Sequence, residues 1–268
     1  MGSPSLGIVR LTGYLVWILL LLPFQALAVA LRLGVRRRLP LLFHRGCLWL
    51  FDIKVVTLGT MSADRPTLFV SNHISYLDIE VLGSMIQGSF VAKSEVAGWP
   101  LFGTLSKLQE TVFIDRRARH DVKRQGETLT DRLAEGDNLI LFPEGTSSDG
   151  NRVLPFKTAL FSVAAQRIDD RPLTVQPVSI SAVALDGMPL GRLLRPLYAW
   201  YGDMSLGPHL WQMAKLGGIT VVVEFHPPLT VDAVGSRKAL ADASWRLVRA
   251  GVARANAGHV AEAWVPAG

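Results

Sequence analysis

A histidine and an aspartate five positions apart, His73 and Asp78, form the pair of side chains best suited to chemistry in this chain. His73 follows the apolar run "TLFVS" at 67–71, which predicts a buried strand. If a helix begins near Ser75, Asp78 lies in its first turn and its carboxylate can reach back to the imidazole. The carboxylate would fix the tautomer of the ring and leave the other nitrogen free as a base. A satisfied turn histidine beside an ordinary helix acid explains the same spacing, so the pair alone does not decide.

The rest of the sequence limits what such a base could act on. There is no GxSxG nucleophile elbow, and the single cysteine, Cys47, lies in an apolar N-terminal segment. We therefore expect the base to activate a hydroxyl of the substrate rather than a side chain of the enzyme. No Cys/His cluster has the spacing of a zinc site, so no metal is expected.

A second polar cluster follows the apolar run at 138–142, in "LFPEGTSSDG". This turn would place backbone N–H groups, the Glu144 carboxylate and the Thr146 hydroxyl near one point. A tight turn with Gly145 at positive φ is the simpler interpretation, but it explains Glu144 and Thr146 less well.

Two basic residues, Lys93 and Arg116, fall at the ends of predicted strands. Either could meet an anionic headgroup or the phosphates of a thioester carrier. Each taken alone is equally well explained as a surface charge.

The body of the chain alternates short apolar runs with helical patterns, which predicts an α/β fold with a largely parallel sheet flanked by helices. The predicted strands lie at 67–71, 89–93, 111–115, 138–142, 173–180 and 219–225, and the predicted helices at 76–87, 99–107, 120–135, 156–168 and 237–256. In such sheets, ligand sites gather beyond the carboxyl ends of the strands, where His73 is placed. The region 186–218 is rich in Pro, Gly and aromatic residues and is interpreted as a long excursion, with its aromatics packing in the core or at a membrane interface.

The N-terminal region predicts a membrane-associated helical segment over residues 1–52, followed by a catalytic domain over 53–268. No residue from Leu11 to Leu31 is charged, which is about the length needed to cross a bilayer core. Arginines cluster directly after it, which places the following domain on the cytoplasmic side. A cleavable signal peptide ending at "ALA" (26–28) is the alternative, but the arginine cluster disfavours it. The net charge of +6 combined with 49% hydrophobic residues favours a membrane surface over nucleic acid.

Four blocks of sequence, in order, resemble the glycerolipid acyltransferase family, the 1-acylglycerol-3-phosphate acyltransferases. They are "NHISYLD", "KSEVAGWPLFG" with "TVFIDR", "FPEGTSS" with "LPFKTALF", and "VQPVSI". The resemblance covers roughly residues 65–180. The resemblance implies that His73, oriented by Asp78, deprotonates the hydroxyl of a lysolipid. The oxygen would then attack the thioester of acyl-carrier protein or acyl-CoA, with no metal or nucleotide cofactor. It also implies that Lys93, Glu144, Gly145 and Thr146 help to hold the acceptor, and that Pro177 shapes the acyl pocket.

One position departs from the family pattern. Where phosphatidate-making relatives read EGTR, this chain has Ser147, so the arginine expected to contact the acceptor phosphate is missing. The wider context resembles a bacterial subgroup that acylates lyso-ornithine lipid, a phosphorus-free aminolipid, and implies a place at the cytoplasmic face of a bacterial inner membrane. Asp149 or Asp203 could meet the ornithine amine. Arg152 or Lys157 could instead replace the missing arginine, which leaves lysophosphatidate open as the acceptor.

Two other classes of protein stay open at this stage. A lipid ester hydrolase would use the same base to activate water, and a non-catalytic membrane or lipid-binding protein would use no base. The full set of family blocks disfavours the first, and the retained His73 and Asp78 disfavour the second.

Overall fold

The fold is built on one eight-stranded mixed sheet. The computed structural model describes residues 2–114, 129–168 and 170–259. The main path through the sheet runs β1-β10-β8-β2-β5-β3-β4, with β9 paired to β8, while β6 and β7 form a separate two-stranded ribbon. The strands are β1 Ile53–Gly59, β2 Thr67–Ser71, β3 Gly88–Lys93, β4 Val112–Ile114, β5 Asn138–Leu141, β6 Arg167–Ile168, β7 Arg171–Pro172, β8 Thr174–Leu185, β9 Met188–Pro189 and β10 Ile219–Phe225.

The central strands are parallel and buried on both faces, as their near-continuous apolar sequences predict. β2 pairs in parallel with β5 and β8, and β3 pairs in parallel with β5 and β4. Every residue of β2 and of β5 is buried. β10 runs antiparallel to β8, and β1 runs parallel to β10. The expected largely parallel sheet flanked by helices is confirmed.

Seven α-helices have defined bounds in the described residues. They are α1 Pro4–Ala30, α2 Leu39–Leu50, α3 Leu77–Gly83, α4 Phe102–Leu108, α5 Leu206–Lys215, α6 Val231–Val234 and α7 Arg237–Asn256. Residues 129–134 are also helical. The two longest helices start at serine caps, since Ser3 accepts a hydrogen bond from the backbone N–H of Leu6 and Ser236 from that of Ala239.

Each face of the sheet carries its own hydrophobic core. On one face, Tyr14 of α1 and Cys47 of α2 share a cluster with Ile180 and Val221 of the sheet. On the opposite face, α7 packs against β8. The expected boundary between residues 52 and 53 falls between α2 and β1, and both sides contribute to the first core.

Several elements differ from the sequence predictions. β1 was not predicted, because its burial alternates and it lies at the edge of the sheet. The helix expected at 156–168 is a 3₁₀ helix over Thr158–Ala165 followed by the short β6. The excursion at 186–218 contains α5, which packs against α1. Residues 115–128, which include the first part (120–128) of the helix expected at 120–135, lie outside the described residues.

Candidate active site

The loop after β2 carries His73 and is clamped to the neighbouring strand. The side-chain amide of Asn72 donates to the carbonyl of Ile180 at 2.9 Å, and its oxygen accepts from the N–H of Ile180 at 2.8 Å. Asn72 therefore pairs with β8 as a strand residue would, and does not cap the following helix. That helix, α3, begins at Leu77 without a side-chain cap, and Asp78 lies in its first turn as expected.

Asp78 and His73 form the hydrogen-bonded pair that their spacing predicts. Nδ1 of His73 lies 2.9 Å from Oδ2 of Asp78. The same oxygen accepts the backbone N–H groups of Ile74 at 2.6 Å and Ser75 at 2.9 Å. The Asp78 side chain is completely buried, whereas 21% of the His73 side chain is exposed. This arrangement directs the Nδ1 proton towards the carboxylate, and Nε2 has no hydrogen-bond partner within the described residues.

Tyr198 completes the shell of the aspartate from a distant part of the chain. Its hydroxyl donates to Oδ1 of Asp78 at 3.2 Å, and its side chain is almost fully buried. Burial, helped by the charge of Asp78, raises the pKa of the Tyr198 phenol well above its usual range, so this residue stays a proton donor. Sequence reasoning noted the aromatic character of this region but did not connect it with Asp78.

The plane of the imidazole is fixed by stacking. The ring of His73 lies parallel to that of Phe142, with ring centroids 4.2 Å apart and planes inclined by 17°. Phe142 in turn stacks on Phe90 at 6.2 Å. Because Phe142 directly follows β5, the strand next to β2 positions the base.

Glu144 joins the second polar cluster to the backbone of His73. One carboxylate oxygen accepts the N–H of His73 at 3.0 Å and the other accepts that of Leu154 at 3.0 Å. Burial raises the pKa of Glu144 to about 8, although these two N–H groups act in the opposite direction. Gly145 adopts φ +73° and closes the turn to the carbonyl of Phe142 at 3.1 Å, as the turn interpretation expects. Both oxygens of Glu144 therefore serve to position the loop.

The remaining predicted residues are dispersed around this edge of the sheet. Thr146 is exposed, and Ser147 donates to the backbone carbonyl of Trp200 at 2.5 Å. Lys93 is exposed at the carboxyl end of β3, the same edge that carries His73. Arg116 lies outside the described residues.

Pro177 is not brought to His73. It lies inside β8, paired with Val70, and its carbonyl accepts the N–H of His226 at 3.0 Å. Since Val178 belongs to the core beneath α1 and α2, strand alternation turns Pro177 to the opposite face, which carries α7.

A second histidine–carboxylate pair clarifies why His73 is the candidate base. His44 Nδ1 lies 2.6 Å from Glu80, but its Nε2 is 2.9 Å from the side-chain amide of Gln109. Both nitrogens of His44 are therefore occupied, and its side chain is buried.

Two candidate nucleophiles within the described residues, Cys47 and Ser179, are both buried. Burial raises the pKa of the Cys47 thiol far above its usual range, and the thiol lies in the core. A row of Ser179, His226 and Glu224 resembles a hydrolytic triad, but α7 closes over it so tightly that a Cβ at Gly251 would overlap Ser179. Among the described residues, no group of three or more His, Cys, Asp or Glu side chains could hold a metal ion. The site can therefore act as a general base on a hydroxyl that comes from outside the protein.

Comparison with known proteins agrees with this chemistry. Residues 52–181 match the model of the family described as Acyltransferase. The chain is 47% identical over 233 residues to a lyso-ornithine lipid O-acyltransferase of Brucella abortus, covering 86% of this chain and 87% of that one. It is 42% identical over 223 residues to a protein of the same name in Rhizobium meliloti, covering 82% and 76% of the two chains.

More distant similarities extend to proteins named for a phosphate acceptor. A 1-acyl-sn-glycerol-3-phosphate acyltransferase of Neisseria gonorrhoeae is 33% identical over 222 residues, covering 81% of this chain and 82% of that one. The fold is similar to the crystal structure of the 1-acyl-sn-glycerophosphate acyltransferase PlsC from Thermotoga maritima. The TM-score is 0.67 with 22% identity, covering 93% of this chain and 94% of that one.

Proposed function

This chain belongs to the Acyltransferase family, and from that premise we propose that it transfers a fatty acyl group from a thioester to the free hydroxyl of lyso-ornithine lipid. The observation that carries the chemistry is the His73–Asp78 pair. The His73 side chain is partly exposed, and its outer nitrogen has no hydrogen-bond partner within the described residues. The acceptor is supported by the names of the relatives at 42% and 47% identity and by Ser147 at the phosphate-binding position of the family.

In the proposed reaction, Nε2 of His73 takes the proton of the acceptor hydroxyl while its oxygen attacks the thioester carbonyl. An oxygen–carbon bond forms, and the carbon–sulfur bond breaks when the tetrahedral intermediate collapses. The imidazolium returns its proton to the leaving thiolate. Asp78 keeps the Nδ1 proton in place and stabilises the positive charge that the ring carries during the step. Glu144 acts at one remove, because it holds the backbone of His73.

The acceptor assignment also agrees with how Ser147 is used. Its hydroxyl donates to the carbonyl of Trp200. A serine carries no positive charge, so this position offers no cation to the phosphate of a headgroup. Lys93, exposed at the same edge, is proposed to meet the carboxylate of the ornithine headgroup or the phosphates of the carrier. Arg116 retains the same role as a prediction. A phosphate acceptor would need one of these cations, or the exposed Arg152 or Lys157, to replace the missing arginine.

For the donor, we propose acyl-carrier protein, with acyl-CoA as the alternative. Both present the acyl group as a thioester on a phosphate-bearing arm, which suits a chain with a formal charge of +6. The proposed reaction uses no metal or nucleotide cofactor.

The protein is associated with the membrane, and we propose that α1 lies along the cytoplasmic face of the inner membrane. α1 is the one helix within the described residues that is long and apolar enough to cross a bilayer. Its inward side is tied to the domain, however, because Arg10 donates to the carbonyl of Leu216 at 2.5 Å and Gln25 to that of Leu108 at 2.6 Å. The outward side is mostly apolar, with exposed Ile8, Val9, Leu15, Val16, Leu19, Leu20, Phe24 and Leu27. A helix with one face bound to the protein and one apolar face outward suits insertion parallel to the membrane.

An acyl-transfer assay tests the proposal. Membranes containing the enzyme receive acyl-carrier protein or CoA loaded with a labelled acyl chain, together with lyso-ornithine lipid or lysophosphatidate. Labelled product with lyso-ornithine lipid supports the assignment. Product with lysophosphatidate alone would assign the enzyme to phosphatidate synthesis, and acyl release without any acceptor would make it a hydrolase.

A further inference from the structure

An aromatic cluster is hydrogen-bonded to the loop that carries the candidate base. Trp200 is fixed to the catalytic loop through its backbone, since its N–H donates to the carbonyl of Ile74 at 2.9 Å and its carbonyl accepts from Ser147 at 2.5 Å. Two residues earlier, Tyr198 holds Asp78. The indole of Trp200 is thus positioned by the same residues that position the base.

Two rings from different parts of the chain meet at this indole. Trp99 lies 5.9 Å from Trp200 with the planes at 83°, and Tyr76 lies 6.0 Å from Trp200 with the planes at 70°. The Tyr76 hydroxyl is 3.2 Å from Nδ1 of His209, so this ring forms the inner wall. Trp99 is 37% exposed, which brings the cluster to the surface. Because the planes of these rings are nearly perpendicular, the cluster presents aromatic faces in two directions.

Trp200 also carries a polar group without a partner. Its Nε1 is buried and has no hydrogen-bond partner among the described residues. Leaving such a donor unpaired is unfavourable, and an acceptor on a ligand would recover that free energy. A carboxylate or an amide carbonyl next to the indole would supply that acceptor.

The charges around the cluster favour a ligand that bears a cation. Asp203 and Glu95 are exposed, three residues after Trp200 and four residues before Trp99. Of the basic residues nearby in sequence, Lys93 is exposed, and the guanidinium of Arg195 is bound to Asn151 and to the carbonyl of Asn256. Aromatic faces attract ammonium groups and repel phosphate. An amino-acid headgroup has both features that the cluster can bind, an ammonium for the ring faces and a carboxylate or amide for Nε1.

We propose that Trp200 and Trp99 form the acceptor headgroup site and select lysolipids that carry a primary ammonium. This inference rests on the proposed function and explains why Ser147 stands at the position where the family has an arginine. Ser147 holds the Trp200 backbone. Where the family has an arginine that binds phosphate, this chain therefore has a serine that positions an ammonium-binding ring. The hydroxyl of the same lipid would then lie near Nε2 of His73.

The test compares lyso-ornithine lipid with the same lipid acetylated on its side-chain amine, which removes the positive charge. For the wild type, we expect acetylation to raise KM about 3- to 30-fold, the range of a cation–π contact from exposed to desolvated. Trp99→Leu, at a largely exposed residue, should raise KM for the unmodified lipid by a similar factor and leave kcat unchanged, while acting little on the acetylated lipid. Trp200→Phe, which keeps a ring but loses the N–H, should retain the response to acetylation. Trp49→Leu, at a tryptophan that is 79% exposed on α2, is the matched control and should retain wild-type discrimination.

The outcomes separate this inference from the function on which it depends. If the wild type acylates both lipids with the same KM, or if Trp99→Leu discriminates as well as the wild type, the headgroup site is wrong and the acceptor assignment stands. If the wild type acylates neither lipid, the proposed function itself fails.

Discussion

Replacing Asp78 by Asn should reduce turnover strongly while leaving the fold and the binding of substrate intact. Oδ2 of Asp78 accepts three N–H groups, from His73, Ile74 and Ser75, and an amide oxygen can accept all three. The amide nitrogen would then face Tyr198, whose hydroxyl oxygen can accept in place of donating. The substitution therefore keeps the geometry and the tautomer of His73 but removes the negative charge.

The size of the effect follows from the distance between the charges. With Nδ1 of His73 and Oδ2 of Asp78 at 2.9 Å, the imidazolium and carboxylate charges are centred roughly 4 Å apart. At an effective dielectric constant of about 20, their attraction is about 4 kcal/mol, which corresponds to about a 1000-fold loss in kcat. KM should change little, because the charge forms only in the transition state.

Single-turnover acyl transfer with saturating lyso-ornithine lipid measures the chemical step directly. Asp232→Asn, at an exposed ion pair with Arg167, is the matched control and should stay within about twofold of the wild type. An Asp78→Asn enzyme that retains its rate within threefold would refute the role of the carboxylate in stabilising the imidazolium.

Two further predictions concern the loop that carries Glu144 and Ser147. Ser147→Arg should improve use of lysophosphatidate relative to lyso-ornithine lipid by about 10- to 100-fold, the value of a charged hydrogen bond, whereas Ser147→Ala should weaken use of the aminolipid without that gain. Equal acceptor ratios in the wild type and the arginine variant would discredit this reasoning. The pKa of Glu144 is raised from 4.5 to about 8 in the folded protein. The stability that this residue contributes is therefore fully present below pH 4.5 and is lost as the pH rises through 8, by at most about 5 kcal/mol. In thermal unfolding in detergent at pH 5, the Tm of Glu144→Gln should be lower than that of the wild type, because the glutamine amide N–H faces a backbone N–H. Between pH 5 and 9, however, the Tm of this variant should fall less than that of the wild type. A parallel decline in both proteins would contradict this origin of the pH dependence.

The sequence predicted the parts of the site that depend on local order. The apolar run of β2, the position of His73 at its carboxyl end and the reach of Asp78 from the first turn of α3 all follow from strand and helix periodicity. The turn at Gly145 follows from the need for positive φ.

The remaining features depend on contacts between distant parts of the chain. Tyr198 reaches Asp78 across 120 positions, and Asn72 bonds to Ile180 across 108, and neither pairing has a local signature. The environment of Glu144 was missed for the same reason, because the burial that raises its pKa comes from packing. Pro177 was associated with the site through the family blocks, but strand alternation in β8 turns it towards α7.

The most direct test of the account is acyl transfer in membranes by the wild type and by His73→Ala. The account predicts labelled product from lyso-ornithine lipid and a thioester donor with the wild type. It predicts no detectable product with the variant, even though the variant stays in the membrane fraction, because α1 and α2 are untouched. Transfer by His73→Ala at the wild-type rate would contradict the assignment of His73 as the base on which the proposed mechanism depends.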